Sequence, residues 1–189
     1  HKYDCSLTLL ETFGGATKTK LDAAKKVIKR IVSDTSLTAG ANFGLMEWGT
    51  RHKIRVDIDD DGAKKIFSNV DGIYAAGGTE LDEALSIARD YFTSGKVPNW
   101  NLSCAKNYLI VISDGAWDYP GQVNSKAKQM RIADNIRTFA VGFGLGGSNN
   151  NYKNLAAAGI DGGTPLYAEN GTELLAKLRT AIKQAISQT

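Results

Sequence analysis

The chain has 189 residues, of which 42% are apolar, and a formal net charge of +3 from 23 basic and 20 acidic residues. This length can bury one sizeable core, and no low-complexity or proline-rich linker divides it, so we expect one domain over residues 1–189. The charges are well mixed, which argues against a nucleic acid as the partner. No apolar run approaches the roughly 18 residues needed to cross a bilayer, so we expect no membrane insertion. Because the chain begins with His1 instead of Met, we expect a mature product or a piece of a larger protein.

Short apolar runs alternate with amphipathic segments along the chain. Apolar residues at helical spacing predict a helix over Lys18–Val32, and the segment Cys5–Glu11 before it is typical of a strand. Further strands are predicted at Phe43–Trp48, Lys53–Ile58, Tyr108–Ser113, Arg137–Phe143 and Leu166–Ala168, and further helices at Ala63–Val70, Glu80–Phe92, Ser125–Asp134, Asn151–Ala158 and Glu173–Ile186. This alternation predicts an α/β fold, doubly wound, with a mainly parallel six-stranded sheet flanked by helices.

Two oxygen-bearing side chains are predicted to meet at one edge of this sheet. Asp114 follows the apolar strand Tyr108–Ser113, and Thr79 comes just before a helix. Open α/β sheets bind ligands at the carboxyl ends of their strands, where a hydroxyl and a carboxylate suit a hard cation. Either residue alone has an ordinary structural explanation, Thr79 as a helix cap and Asp114 as a turn residue.

These loops resemble those of the von Willebrand factor A domain family, and the resemblance extends along nearly the whole chain. The family builds a magnesium site from an Asp-x-Ser-x-Ser loop after the first strand, a Thr before a helix and an Asp after a central strand. Thr79 and Asp114 match the second and third parts. The resemblance therefore implies a Rossmann-like fold and a site of metal-dependent adhesion at this edge.

The first loop departs from the family pattern. Glu11 stands where the family has Asp, while Phe13 and Gly15 stand where it has serines and supply no side-chain oxygen. We therefore expect a degenerate site of Glu11, Thr79 and Asp114 that holds no cofactor or only weakly bound Mg²⁺. A competing alignment uses Asp4, Ser6 and Thr8 as the first loop, which restores the ligands but leaves a very short preceding strand.

Two phrases resemble the A domains of type IV pilus tip adhesins and biogenesis factors of the PilY/PilC kind. They are Asn42–Met46 and Cys104–Tyr108. This resemblance implies an extracytoplasmic bacterial protein at the cell surface or pilus tip, passing through the periplasm. Its expected partners are a protein or surface ligand, other domains of the parent protein and minor pilins.

The two cysteines bear on the cellular compartment. Cys5 lies near the first predicted strand and Cys104 before the central one, and these strands should be neighbours. Their positions are offset by about four residues, or roughly 13 Å along extended strands, whereas disulfide Cα atoms lie within about 7 Å. A Cys5–Cys104 bridge therefore requires the chain near Cys104 to fold back. The alternative is two buried thiols.

No catalytic motif is evident, and we expect a non-enzymatic binding and adhesion module. Its candidate contact residues are Phe13, Gly15, Trp117 and Tyr119, in loops at the carboxyl edge. Two alternatives remain. One is a metal-free structural module that packs against neighbouring domains, and the other is a hydrolase using Asp114 as nucleophile with Glu11 as acid or base.

Overall fold

In the computed structural model, residues 7–14, 18–49, 51–74 and 78–187 are described, and residues 7–14 and 18 by their backbone alone. Over these ranges the strands are β1 (Leu7–Gly14), β2 (Ala41–Trp48), β3 (Lys53–Asp59), β4 (Lys106–Ser113), β5 (Ile136–Phe143) and β6 (Leu166–Ala168). The α-helices are α1 (Lys18–Val32), α2 (Thr35–Thr38), α3 (Gly62–Asn69), α4 (Leu81–Thr93), α5 (Pro120–Ala133), α6 (Asn150–Gly159) and α7 (Gly171–Ser187), with a 3₁₀ turn at Val70–Gly72.

The strands form one sheet in the order β3-β2-β1-β4-β5-β6. All neighbouring strands are parallel except β2 and β3, which follow each other along the chain and run antiparallel. The sheet is therefore mainly parallel, and the carboxyl ends of β1, β2, β4, β5 and β6 lie along one edge. The predicted α/β fold is confirmed.

Hydrophobic clusters cover both faces of the sheet, as a doubly wound fold requires. Tyr108, Ile110 and Ile112 of β4 pack on the face that α1 and α7 cover, whereas Leu109 and Val111 pack with α4, α5 and α6. The central strand is thus buried on both sides, which explains why it reads as a continuous apolar run.

Helix α1 follows the predicted bounds because its apolar spacing matches one buried face. Leu21, Ala24, Val27, Ile28 and Ile31 are all buried. Two helices depart from the sequence predictions by more than the one or two residues by which the ends of the others differ. Helix α2, with Asp34 as its N-cap, was not predicted, and α5 begins at Pro120 instead of Ser125. Proline suits the first helical turn because its missing N–H has no partner there in any case.

Strand β1 continues three residues beyond its predicted end at Glu11. Glu11 pairs in register with Ile110, and Gly14 pairs with Ser113, the last residue of β4. Glu11 therefore lies four register positions before Asp114, or about 13 Å along the strand direction. The residue that β1 brings to the carboxyl edge is Gly14.

Candidate functional site

The carboxyl edge holds a buried acidic group paired with a lysine. Asp114 follows β4, and its side chain is only 6% exposed. Lys20, in the first turns of α1, places its Nζ 3.5 Å from Asp114 Oδ2. The same Nζ donates a hydrogen bond of 2.9 Å to the carbonyl oxygen of Gly144, which follows β5. One ammonium group thus joins α1 to the ends of β4 and β5.

Gly144 leaves room for this lysine. Its φ is +67°, a conformation that L side chains rarely adopt, and a Cβ at this position would lie 2.8 Å from Lys20 Cε. Both the backbone and the passing lysine therefore favour glycine here.

Thr79 lies in a loop that meets the loop after β4. Its carbonyl oxygen accepts hydrogen bonds from the N–H of Leu81 at 3.0 Å and of Asp118 at 3.1 Å. The second bond ties the start of α4 to the Asp114 loop, so the structure brings together the two loops that the sequence predicts to meet.

The rest of the predicted metal loop does not join them. Glu11 and Phe13 lie within β1, and Gly15 is outside the described residues. The register places Glu11 four positions before Asp114, which argues against a site shared by the two residues. The sequence signal that placed it there was the family alignment, which does not fix where the strand ends.

Magnesium bound by Asp114 does not fit this arrangement. Mg²⁺ requires near-octahedral oxygen ligands at about 2.0–2.1 Å. Here the ammonium of Lys20 already neutralises the carboxylate, and positions 13 and 15 carry Phe and Gly. At the carboxyl edge of the sheet, the cation that neutralises Asp114 is therefore the ammonium group of Lys20.

Two aromatic side chains, Tyr152 and Trp117, pack against each other at the loop that follows Asp114. The hydroxyl of Tyr152 donates a hydrogen bond of 2.7 Å to the carbonyl oxygen of Gly115, and burial raises the pKa of this tyrosine to about 12. Its ring lies 4.7 Å from that of Trp117, measured between centroids. Trp117 is 4% exposed, so its prediction as a surface contact residue is wrong. An indole packs more favourably against the buried Tyr152 ring than in water.

Tyr119 is the exposed aromatic residue of this loop. Its side chain is 63% exposed, and its backbone adopts a left-handed conformation with φ +51° at the N-cap of α5. A bulky residue at positive φ is uncommon, because Cβ crowds the backbone. Tyr119 therefore lies on the surface, and its role as a contact residue stays a prediction.

Lys20 was missed by sequence reasoning. It lies 94 positions from Asp114 and 124 from Gly144, and a lysine in the first turns of an amphipathic helix is ordinarily read as solvated surface. Only the three-dimensional arrangement shows that its long side chain crosses to the sheet edge.

Comparison with solved structures supports the fold. The protein BatB from Bacteroides thetaiotaomicron matches with a TM-score of 0.73 at 18% identity, covering 96% of this chain and 98% of that one. A von Willebrand factor type A protein from Catenulispora acidiphila matches with a TM-score of 0.77 at 18% identity, covering 96% and 43%. The pilus adhesin SpaC from Lactobacillus rhamnosus GG matches with a TM-score of 0.74 at 13% identity, covering 97% and 30%. The chain thus spans less than half the length of the last two.

Sequence comparison identifies the family. No curated protein sequence matches the chain. The family model of the von Willebrand factor type A domain, however, matches residues 4–116, which include β1, α1, Thr79 and Asp114. This match covers more than half of the chain and agrees with the sheet order and the position of the edge loops. The chain belongs to the von Willebrand factor type A domain family.

Proposed function

We propose that this chain is a non-enzymatic protein-binding and adhesion module whose contact surface is the carboxyl edge of the sheet, and that it binds without a metal ion. Domains of this family bind protein ligands and are generally non-catalytic. The edge also gathers loops that need not support the core, which leaves them free for recognition.

The observation that carries this proposal is the conformation of Tyr119. A left-handed backbone at a non-glycine residue costs about 1–3 kcal/mol, and such residues concentrate at functional sites. Asn or Gly would fit the same backbone with less strain. Tyr119 instead presents a largely exposed ring, and tyrosine is enriched among residues that dominate protein interfaces. We infer that the strain is retained because the ring contacts a partner.

Metal independence is supported by the Lys20–Asp114 pair. The buried carboxylate is neutralised within the chain, so it has no need of an added cation. The same pair argues against the hydrolase alternative, because a nucleophilic Asp114 would have to leave its ion pair to attack a substrate.

We further propose that the parent protein is an extracytoplasmic bacterial protein, at the cell surface or a pilus tip. Cys104 is not a free thiol, and disulfides persist mainly in oxidising compartments. The type IV pilus assignment rests on the sequence phrases Asn42–Met46 and Cys104–Tyr108. Its proposed partners are minor pilins, a surface ligand or other domains of the parent protein. No helix among the described residues is long and apolar enough to span a membrane.

Site-specific photo-crosslinking on the parent protein in its own cells tests the contact surface. A crosslinking amino acid at Tyr119 should give a discrete protein adduct that an excess of the purified domain prevents. The matched control is Ile132, which is 66% exposed at the far end of the same helix, about 20 Å away along α5. Equal adducts at both positions, or none at Tyr119, would refute the proposed surface.

Replacing Tyr119 with Asn separates binding from folding. Because Asn accepts the left-handed conformation, Tyr119→Asn should leave the melting temperature unchanged or raise it. Binding of the crosslinked partner should weaken by about tenfold or more. Ile132→Gln should leave binding unchanged. A structural module that only packs against its neighbours would bind equally well after the substitution of Tyr119.

A further inference from the structure

A cluster of three potential metal ligands lies on the other side of the Thr79 loop. His52 directly precedes β3, Glu80 is the N-cap of α4, and Glu83 lies in the first turn of that helix. One ligand atom from each residue lies within 4.8 Å of the other two. We propose that these residues form a binding site for a divalent transition metal, with zinc as the ion that best suits them.

The histidine is the decisive member. Its side chain is 6% exposed, and neither ring nitrogen has a hydrogen-bond partner among the described residues. A buried polar group without a hydrogen-bond partner destabilises the folded protein. The Nε2 atom faces both carboxylates, so a metal ion placed between them would satisfy it.

The distances suit a tetrahedral ion. His52 Nε2 lies 3.3 Å from Glu83 Oε2 and 3.8 Å from Glu80 Oε2. Ligand atoms bound to tetrahedral zinc at about 2.0–2.1 Å are separated by about 3.3 Å. Small side-chain movements would therefore bring all three atoms to bonding distance.

Both carboxylates are available to an ion. The side chains of Glu80 and Glu83 are 45% and 63% exposed, and Glu80 makes no capping hydrogen bond to its helix. Solvent can therefore reach the cluster from the side opposite the buried imidazole. Two carboxylates held this close also repel each other, and a cation would relieve that repulsion.

The donor set selects the class of metal. One imidazole and two carboxylates are typical ligands of zinc and related first-row ions, whereas magnesium prefers oxygen alone. Three protein ligands leave a fourth position of the tetrahedron for water or another ligand. The ion would also connect the start of β3 to the start of α4, directly next to Thr79.

Calorimetric titration of the untagged protein with zinc chloride tests this site. We expect one zinc ion per chain and much weaker binding of magnesium. His52→Gln and Glu83→Gln should each weaken zinc binding by more than about tenfold, since even the loss of groups that only orient a ligand costs about that much. Because Glu83 is exposed, its variant should fold normally, which circular dichroism can verify.

Three matched variants define the location. Asp82→Asn removes a charge from the same helical turn outside the cluster, His1→Ala removes the other histidine, and Asp114→Asn alters the neighbouring edge. All three should bind zinc as the unaltered protein does. Absence of zinc binding, binding that survives His52→Gln, or binding lost with His1 or Asp114 would each overturn the proposal.

Discussion

The ammonium of Lys20 lies 3.5 Å from the carboxylate of Asp114 and 2.9 Å from the carbonyl oxygen of Gly144, so that it joins the first long helix to the ends of two neighbouring strands. The Asp114 side chain is nearly buried, while the Lys20 side chain remains one-third exposed. A buried charge needs a partner, and here the partner comes from the chain itself. This pair underlies the first two predictions.

Lys20→Met should destabilise the domain, because it keeps much of the apolar stem and removes the charge that neutralises Asp114. We expect a loss of about 1–3 kcal/mol in the free energy of unfolding, below the cost of breaking a fully buried pair. Lys29→Met is the control, since its partner Asp71 is 66% exposed, and it should cost less than about 1 kcal/mol. Urea unfolding measures both. Equal losses of unfolding free energy in the two variants would show that the Lys20–Asp114 pair stabilises the domain no more than the exposed Lys29–Asp71 pair does.

Two glycines of the same loop separate backbone strain from contact with Lys20. Gly144 and Gly146 have φ values of +67° and +72°, but only at Gly144 would a Cβ meet the lysine. Both Gly→Ala variants should lose about 1 kcal/mol from strain, and Gly144→Ala should lose more. Combining each variant with Lys20→Ala, which removes the side-chain stem that a Cβ at Gly144 would meet, should remove the difference. If Gly144→Ala and Gly146→Ala have the same melting temperature when Lys20 is present, the contact between residue 144 and Lys20 is contradicted.

The pH dependence of stability should report Tyr152. Its folded-state pKa of about 12 lies above the ordinary value of 10.0, because burial disfavours the phenolate. The folded state therefore holds this proton more tightly than the unfolded state does. The contribution of this proton to the stability of the folded state is complete below pH 10 and is lost as the pH rises towards 12.

Tyr152→Phe should therefore reduce the fall in melting temperature between these two pH values. The variant also lacks the hydrogen bond to Gly115, so it should be less stable at neutral pH. Tyr91, whose pKa burial likewise raises to about 12, should keep part of the alkaline dependence in the variant. If the melting temperature of Tyr152→Phe falls with pH as steeply as that of the unaltered protein, the raised pKa of Tyr152 is contradicted.

The cysteines provide a test of the proposed compartment. Cys104 is not a free thiol, and the predicted partner Cys5 lies outside the described residues, so the Cys5–Cys104 pairing stays a prediction. Mass spectrometry of unreduced, alkylated protein should find no modified cysteine and a peptide pair linking residues 5 and 104. Reduction should lower stability by a few kcal/mol. Two alkylated cysteines in oxidised protein would remove the main support for an extracytoplasmic location.

Much of the fold follows from hydrophobic periodicity. The bounds of α1 and β6 agree with the sequence predictions, and each element ends on a buried apolar residue, Val32 and Ala168. Helix α5 begins earlier than predicted because Pro120 and the left-handed Tyr119 resemble a loop. The prediction for β1 ended at Glu11 because a charged residue in a strand looks like a strand end, although register with β4 continues to Gly14.

The candidate site was predictable only where neighbouring loops follow from strand order. That rule brings the Thr79 and Asp114 loops together. It does not reveal Lys20, whose reach depends on side-chain length and on the open space at Gly144. Nor does it reveal His52 beside Glu80 and Glu83, because the start of β3 and the start of α4 come together only through packing.

We propose that the carboxyl edge uses Lys20 in place of a metal ion, and calorimetric titration of the purified domain with Mg²⁺, with Asp114→Asn alongside, is the decisive test. We expect no saturable heat from either protein and no rise in melting temperature with added Mg²⁺, since only an ion that binds the native state stabilises it. A saturable Mg²⁺ site that disappears in Asp114→Asn would contradict this proposal and favour the alternative metal loop at Asp4.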